Sequence, residues 1–153
     1  MGMIYVDTRE KPHAIKKILA YFEKKGEEVV RQKLDVGDYM LSPDGKISVD
    51  RKQNLAEVAV NLGKDRFRFG KECQRAKDAG VQLVILVEHG GQIKDIEDVR
   101  AWQNPRLSIS PYGLSGPRIY QIMKTFSLKY GVQWEFCSKQ STGKRIIEIL
   151  SRG

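Results

Sequence analysis

Apolar positions recur at every second residue in some segments and at every third or fourth residue in others, which predicts strands separated by helices. Strands are predicted within the segments 3–10, 27–42, 46–52, 81–88 and 132–138. Helices are predicted over 13–25, 54–79, 118–131 and 141–152. Because strands and helices alternate along the chain, we expect an α/β protein with helices on both faces of its sheet.

Turn-forming residues refine this layout. Gly37 interrupts the second predicted strand, which predicts a bend or bulge with a further strand beyond it. The "SPDG" turn at 42–45 predicts a hairpin between this segment and the next strand. "GKDR" at 63–66 is expected to interrupt the long helical region. The segment 90–117 holds three of the five prolines and is expected to be irregular, with a short helix at 95–102.

Length and composition are those of one soluble globular domain of 153 residues, with 41% hydrophobic and 30% charged residues. No apolar run approaches the roughly 20 residues that a membrane helix needs, so no membrane partner is expected. The N-terminal residues do not resemble a signal peptide, which predicts a cytoplasmic protein. A single domain standing alone fits a protein of prokaryotic or phage type. Cys73 and Cys137 lack metal-binding spacing and are expected to be ordinary thiols in a reducing compartment.

The net charge of the chain indicates a class of binding partner. The chain carries 27 Lys plus Arg against 19 Asp plus Glu, a net charge of +8. A basic excess of this size favours a polyanion, since each neutralised phosphate releases condensed counterions. Many basic proteins bind no nucleic acid, so the charge makes nucleic acid the leading partner without identifying it.

Three carboxylates stand at the ends of three consecutive predicted strands: Asp7, Asp38 and Asp50. Side chains two apart on a strand share a face, so Asp50 and Lys52 project together while Arg51 points the other way. Mg²⁺ usually takes one or two carboxylates plus waters and a substrate phosphate. Lys52 could hold or help to deprotonate a water, or neutralise the phosphate. Solvated charges at strand ends are the alternative explanation.

The segments "VDTRE", "VGDYML", "ISVDRKQNLAEV", "RFRFGKE" and "VQLVILVE" together resemble the XPF-type nuclease domain, which carries a GD…ERKxxxD signature. The motifs lie within 3–90, and a looser likeness extends over nearly the whole chain. The resemblance implies a restriction-endonuclease-like fold: a central mixed β-sheet flanked by helices on both faces. It implies one nuclease domain over 1–153, and no helix-hairpin-helix domain is expected in this sequence.

The resemblance also implies a Mg²⁺- or Mn²⁺-dependent endonuclease that hydrolyses branched or otherwise structured DNA, with a homodimer by analogy. Carried over residue by residue, it implies these catalytic positions: Asp7, Arg9, Glu10, Asp38, Asp50, Arg51 and Lys52. The metal ligands expected among them are Asp38, Asp50 and Asp7. Asp50 stands where the family usually has glutamate, so its side chain is one methylene shorter.

The helical region predicted over 54–79 contains the segment 66–77, in which basic residues are interleaved with phenylalanine. Together with the motif arginine, they give the expected DNA-binding set: Arg51, Arg66, Arg68, Lys71 and Arg75. Arg68 is placed in this set by the resemblance, as a residue close to DNA phosphate. For the other basic residues on the helix, a solvated face with a core phenylalanine is an equally good interpretation.

One position departs from the family pattern. Its last aspartate, four residues after the lysine, falls at Ala56, and the adjacent Glu57 points about 100° away on a helix. This keeps open a catalytically silent DNA-binding module, such as the inactive partner of a nuclease pair. A basic scaffold protein, in which the acidic residues are incidental, is the third possibility.

Other candidates carry weaker signals. Glu88 ends a buried strand and His89 follows it, at a position that often lines sites in α/β sheets. Trp102 is a candidate for stacking on a base, whereas Trp134 is expected in the core. Ser115 followed by Pro117 predicts a helix start and not a helix-hairpin-helix turn.

Overall fold

The computed structural model describes residues 2–152, and within them six strands alternate with five α-helices. The strands are β1 (Met3–Val6), β2 (Glu28–Arg31), β3 (Tyr39–Met40), β4 (Ile47–Lys52), β5 (Gln82–Glu88) and β6 (Gln133–Cys137). The α-helices are α1 (Lys16–Lys24), α2 (Leu55–Leu62), α3 (Arg66–Asp78), α4 (Gly116–Tyr130) and α5 (Thr142–Leu150). Short 3₁₀ helices occupy Ile96–Ala101, Pro105–Ser108 and Lys139–Ser141.

The strands form one mixed sheet in the order β2-β1-β3-β4-β5-β6. β1 pairs with β2 in parallel, β3 pairs antiparallel with both β1 and β4, and β5 runs parallel to β4 and β6. Helices α1 and α5 pack on one face of the sheet. Helices α2, α3 and α4 pack on the other face. The predicted mixed sheet with helices on both faces is therefore confirmed.

The expected hairpin forms in part of the predicted segment. Beyond Gly37, β3 pairs with β4 through Tyr39 and Val49. The part before the bend, β2, instead pairs in parallel with β1, so the predicted hairpin includes only the part of the segment beyond Gly37. Gly37 has a φ of 70°, and a Cβ there would lie 2.0 Å from the Oγ of Ser48. A glycine is therefore required at this bend.

The helical predictions agree with the structure at most boundaries. The long helical region breaks after Leu62 into α2 and α3, as the "GKDR" segment predicts. Ser115 caps α4 by accepting a hydrogen bond from the backbone N–H of Arg118 at 3.3 Å. The short helix expected in the irregular segment is the 3₁₀ helix Ile96–Ala101. Across residues 2–152, no helix has the length and apolar character required to cross a bilayer.

Candidate active site

The end of β4 sends charged side chains to both faces of the sheet. Asp50 and Lys52 lie on the face covered by α2 and α3, and the Lys52 Nζ is 3.3 Å from the Asp50 Oδ1. Both residues are buried, each 8% exposed. Arg51 projects to the opposite face, where its side chain is 4% exposed. The alternation that the strand pattern predicts is therefore present, and it separates two sets of charges.

Asp38 is held beside Asp50 by backbone pairing. Its N–H donates to the carbonyl of Val49 at 2.7 Å, and its carbonyl accepts from the N–H of Asp7 at 2.8 Å. Its Oδ2 accepts a hydrogen bond from the backbone N–H of Arg51 at 2.8 Å. Loss of hydration, followed by the charges of Asp50 and Glu10, raises the pKa of Asp38 well above its ordinary value. The charge of Asp50 thus opposes the ionisation of Asp38 within one site.

Asp38, Asp50 and Lys52 line a cleft of about 190 Å³. Glu72 and Arg75, from one face of α3, line it as well. Glu72 is not among the site residues predicted from the sequence. Its spacing contained the signal, because residues four and three apart on a helix, such as Arg68, Glu72 and Arg75, share a face.

Lys52 is held in its charged form. Burial alone lowers the pKa of Lys52, but the charges of Asp50, Glu57 and Asp38 outweigh it and raise the pKa above its ordinary value. The Lys52 Nζ also lies 5.1 Å from the centre of the Phe69 ring, a distance that suits a cation–π contact. The cleft thus presents an ammonium group next to two carboxylates.

Asp7 does not face this cleft. It is fully buried, and its Oδ1 accepts a hydrogen bond from the backbone N–H of Leu34 at 2.8 Å. Its Oδ2 accepts from the Arg9 Nε at 2.5 Å. The Arg9 side chain is 63% exposed and reaches the mouth of the cleft. Among the described residues, no three acidic, histidine or cysteine side chains converge on a metal position, so the expected third ligand is not supplied.

The donors in the cleft nevertheless fit a divalent cation. The Oδ1 of Asp38 and the Oδ2 of Asp50 accept no hydrogen bond from the residues the structure describes. Hard carboxylate oxygens suit Mg²⁺ or Mn²⁺, and Mg²⁺ usually keeps several waters beside one or two carboxylates. A cleft of about 190 Å³ has room for those waters, each of which occupies about 30 Å³ in the liquid. A cation there would relieve the repulsion between the two acids.

Arg51 is the centre of a buried ionic network on the other face. Its Nε and one terminal nitrogen bind the two carboxylate oxygens of Glu10 at 2.7 and 3.1 Å. Its other terminal nitrogen binds Glu88 at 2.5 Å. Glu88 also accepts a hydrogen bond from the Thr142 hydroxyl at 2.6 Å, and Glu10 accepts one from the Tyr39 hydroxyl at 2.8 Å. This network ties β4 and β5 to α5 and leaves Arg51 almost no exposed surface for phosphate.

The start of α2 follows Lys52 in the chain, but none of its described residues lines the cleft. Ala56 is exposed and supplies no ligand. The Glu57 carboxylate folds back and accepts a hydrogen bond from the backbone N–H of Gln53 at 2.7 Å. His89 accepts from the backbone N–H of Leu55 at 3.1 Å through its Nδ1, so it caps the helix and does not enter the cleft.

The basic residues predicted to contact DNA separate into groups. Arg75 lines the cleft, whereas Arg66 and Lys71 line a groove between α3 and α4. Arg68 is exposed and pairs with Asp65 at 3.0 Å.

The tryptophans are structural. Trp134 packs against the core and donates to the Met123 carbonyl at 3.1 Å, as predicted. Trp102, the candidate for base stacking, packs edge-on against His89 with ring centres 6.0 Å apart.

Comparisons with known proteins agree with this arrangement. A family model of the ERCC4 domain matches residues 6–150. The structure of XPF from Aeropyrum pernix superposes with a TM-score of 0.69 at 24% identity, covering 98% of this chain and 64% of that one. The structure of XPF from Aeropyrum pernix in complex with DNA gives a TM-score of 0.68 at 23% identity, covering 99% and 64%. A comparison with curated proteins found no match.

These likenesses confirm the expected fold, that of an XPF-type nuclease domain. At 23–24% identity the structural matches show the fold alone. This chain also spans only 64% of the length of either matched structure.

Proposed function

The chain belongs to the ERCC4 domain family, and from that premise we propose that it is a divalent-metal-dependent DNA endonuclease. The observation that carries the proposal is the cleft itself. Asp38 and Asp50 place two carboxylates side by side, Lys52 adds an ammonium 3.3 Å from Asp50, and two arginines stand at the rim. A buried and a half-buried carboxylate beside a buried ammonium group are typical of sites that perform chemistry, because titratable groups with shifted pKa values cluster at functional sites.

Asp38 and Asp50 would hold Mg²⁺ or Mn²⁺. The bound ion would activate a water and neutralise charge on the phosphate, which is the chemistry such ions supply in nucleases. Lys52 stabilises negative charge on a phosphate oxygen, since it is kept as an ammonium ion. Arg9 and Arg75 attract the DNA backbone to the cleft.

Other residues position these groups. The backbone N–H of Arg51 fixes one oxygen of Asp38, and its guanidinium fixes the strand end by binding Glu10 and Glu88. Asp7 orients Arg9 through a 2.5 Å ion pair. We therefore assign Asp7, Glu10 and Arg51 to positioning, and Asp38, Asp50 and Lys52 to contact with the substrate and the metal.

DNA is the substrate class that best fits the net charge of +8 and the XPF structure solved in complex with DNA. Branched or otherwise structured DNA remains our proposal for its form, as does a homodimer for its assembly. The silent DNA-binding module is the second candidate, favoured by Ala56 alone. Against it stands the Glu57 carboxylate, whose charge acts on Lys52 from the neighbouring position.

The test is cleavage of flap, fork and linear DNA with Mg²⁺ or Mn²⁺, comparing the wild type with Asp38→Asn. We expect the substitution to lower cleavage by about a hundredfold or more, because it removes a metal ligand. Asp44→Asn, which changes an exposed acid in the 42–45 turn, is the matched control and should cleave normally. Binding without cleavage in every case would support the silent module instead.

Two further readouts sharpen this experiment. Mn²⁺ should raise the melting temperature of the wild type and of Asp44→Asn, and should leave that of Asp38→Asn unchanged. Ala56→Asp restores the family residue at an exposed position in the first turn of α2, where an acid is favoured by the helix dipole. It should increase the cleavage rate without lowering stability.

A further inference from the structure

A groove of about 820 Å³ runs between α3 and α4, outside the cleft. Four basic side chains line it: Arg66, Lys71, Arg118 and Lys129. Among residues 2–152, no acidic side chain lines this groove or forms an ion pair with any of the four. By contrast, Arg51, Arg68 and Arg145 are each paired with a carboxylate.

The contacts that the four side chains do make leave their charge uncompensated. The Arg66 Nε donates to the Leu62 carbonyl at 2.7 Å. The Lys71 Nζ lies 4.6 Å from the centre of the Phe67 ring. Cations gathered in one groove repel one another and raise the local anion concentration, so the groove is complementary to a polyanion.

An exposed aromatic ring accompanies these charges. Phe67 is 78% exposed, whereas Phe69 and Phe126 are 3% and 5% exposed and pack into the core. A phenyl ring in water between cations matches the combination by which proteins hold single-stranded nucleic acid: bases stack on aromatic rings while basic groups follow the backbone. A duplex keeps its bases stacked internally and offers no base to such a ring.

The groove is continuous with the proposed active site through α3. Lys71 of the groove and Arg75 of the cleft are four residues apart, so their Cβ atoms are about 5–6 Å apart on one side of the helix. One DNA strand can therefore contact both. No other described element forms a wall of both the cleft and the groove.

We propose that the α3–α4 groove binds single-stranded DNA adjacent to the cleavage site, with phosphates on the four cations and a base on Phe67. This inference rests on the proposed function, because it assumes that the strand in the groove leads to the cleft. The groove is a substrate-binding surface that is separate from the metal ligands. A single-stranded arm next to a duplex is the DNA form that would use it.

The first test measures binding without cleavage, by anisotropy of labelled oligo(dT) in EDTA across a salt titration. Lys71→Gln with Arg118→Gln removes two cations. Each phosphate contact contributes a salt slope of about 0.7 for single strands, so affinity at 0.1 M salt should fall about fivefold per cation, or about 25-fold together. Lys17→Gln with Lys24→Gln removes two exposed charges from α1, on the far face of the sheet, and is the matched control.

The second test concerns the ring. Phe67→Ala should weaken oligo(dT) binding about fivefold or more at an unchanged salt slope, and should leave binding to a duplex of equal length unchanged. Leu128→Ala removes another exposed apolar side chain, 88% exposed on α4, and should have no effect. Both positions are on the surface, so neither substitution should unfold the protein.

The outcomes separate the possibilities. Groove variants that bind like the α1 control would overturn the proposal, as would an equal effect of Phe67→Ala on single strands and duplex. A wild-type dimer that Lys71→Gln with Arg118→Gln dissociates, at unchanged DNA affinity, would assign the groove to a second copy. If the wild type binds through the groove but never cleaves, the hydrolytic function fails while the groove assignment stands.

Discussion

Arg51 provides the sharpest test of how the site is built, because its guanidinium compensates two acids that are removed from water. Its side chain is 4% exposed, while those of Glu10 and Glu88 are 12% and 2% exposed. It binds Glu10 with two hydrogen bonds and Glu88 with one. The perturbation is Arg51→Met, which keeps an unbranched side chain and removes the charge.

The expected loss of stability follows from the two carboxylates that stay buried when the guanidinium is removed. Removing one partner of a buried ion pair costs about 3–5 kcal/mol, because the remaining charges stay buried without compensation. A domain of this size has a free energy of unfolding of about 5–15 kcal/mol, so the loss is a large fraction of it. With a urea m-value of about 2 kcal/mol/M, the midpoint of unfolding should fall by about 2 M.

The assay is equilibrium urea unfolding followed by circular dichroism. Arg100→Met is the control, since Arg100 forms a surface ion pair with Glu97 at 3.3 Å and is 59% exposed. That pair should contribute less than about 1 kcal/mol. Arg51→Met combined with Glu10→Gln and Glu88→Gln should recover much of the lost stability, because it removes the stranded charges as well.

An Arg51→Met variant that is no less stable than Arg100→Met would refute a role for Arg51 in compensating the two buried acids. A triple variant as unstable as Arg51→Met would refute it as well, because the loss of stability would then come from packing and not from uncompensated charge. Arg51→Lys should fall between wild type and Arg51→Met, since an ammonium group cannot reproduce the forked contact with both acids.

Three further predictions concern other parts of the fold. Gly37→Ala should lower the free energy of unfolding by about 2–5 kcal/mol, because φ is positive and the new Cβ would lie 2.0 Å from the Ser48 Oγ. Gly26→Ala should lower it by only about 1 kcal/mol, because Gly26 has a similar φ but open space around it. Cys73 and Cys137 should resist alkylation at pH 8 until the protein unfolds, because burial raises the pKa of each thiol, that of Cys73 to about 12. Burial lowers the pKa of His89, so its protonation favours the unfolded chain; stability should decrease as pH falls below about 6.5, and His89→Asn should lessen this dependence in thermal melts.

The directions of side chains along β4 could be predicted from the sequence because alternation on a strand is a local rule. It places Asp50 and Lys52 together and Arg51 apart, as observed. The bend at Gly37 was equally local. These features depend on residues within a few positions of one another.

Features that depend on distant partners were missed. Asp7 turns away from the cleft because its carboxylate satisfies the buried N–H of Leu34, 27 positions later. Glu88 was ambiguous because its partners, Arg51 and Thr142, lie 37 and 54 positions away. No spacing rule connects such residues, since their contact is created by the order of strands in the sheet.

The parallel pairing of β2 with β1 was missed for a related reason. The turn at 42–45 predicts a hairpin, but it does not indicate which part of the preceding segment pairs with β4. Glu72 illustrates the opposite case: helical spacing contained the information, and the interpretation of the segment as a basic surface obscured it.

The side chains of β4 alternate between the two faces of the sheet, which limits where the chain can accept insertions or deletions. Insertion or deletion of one residue within 47–49 would exchange the two sides of the strand, so that a guanidinium entered the cleft and an acid faced the far layer. Insertions in the turn at 42–45 would leave that assignment intact. Variants in which a single codon is gained or lost should therefore survive in the turn and be eliminated within the strand, even where every original charge is retained.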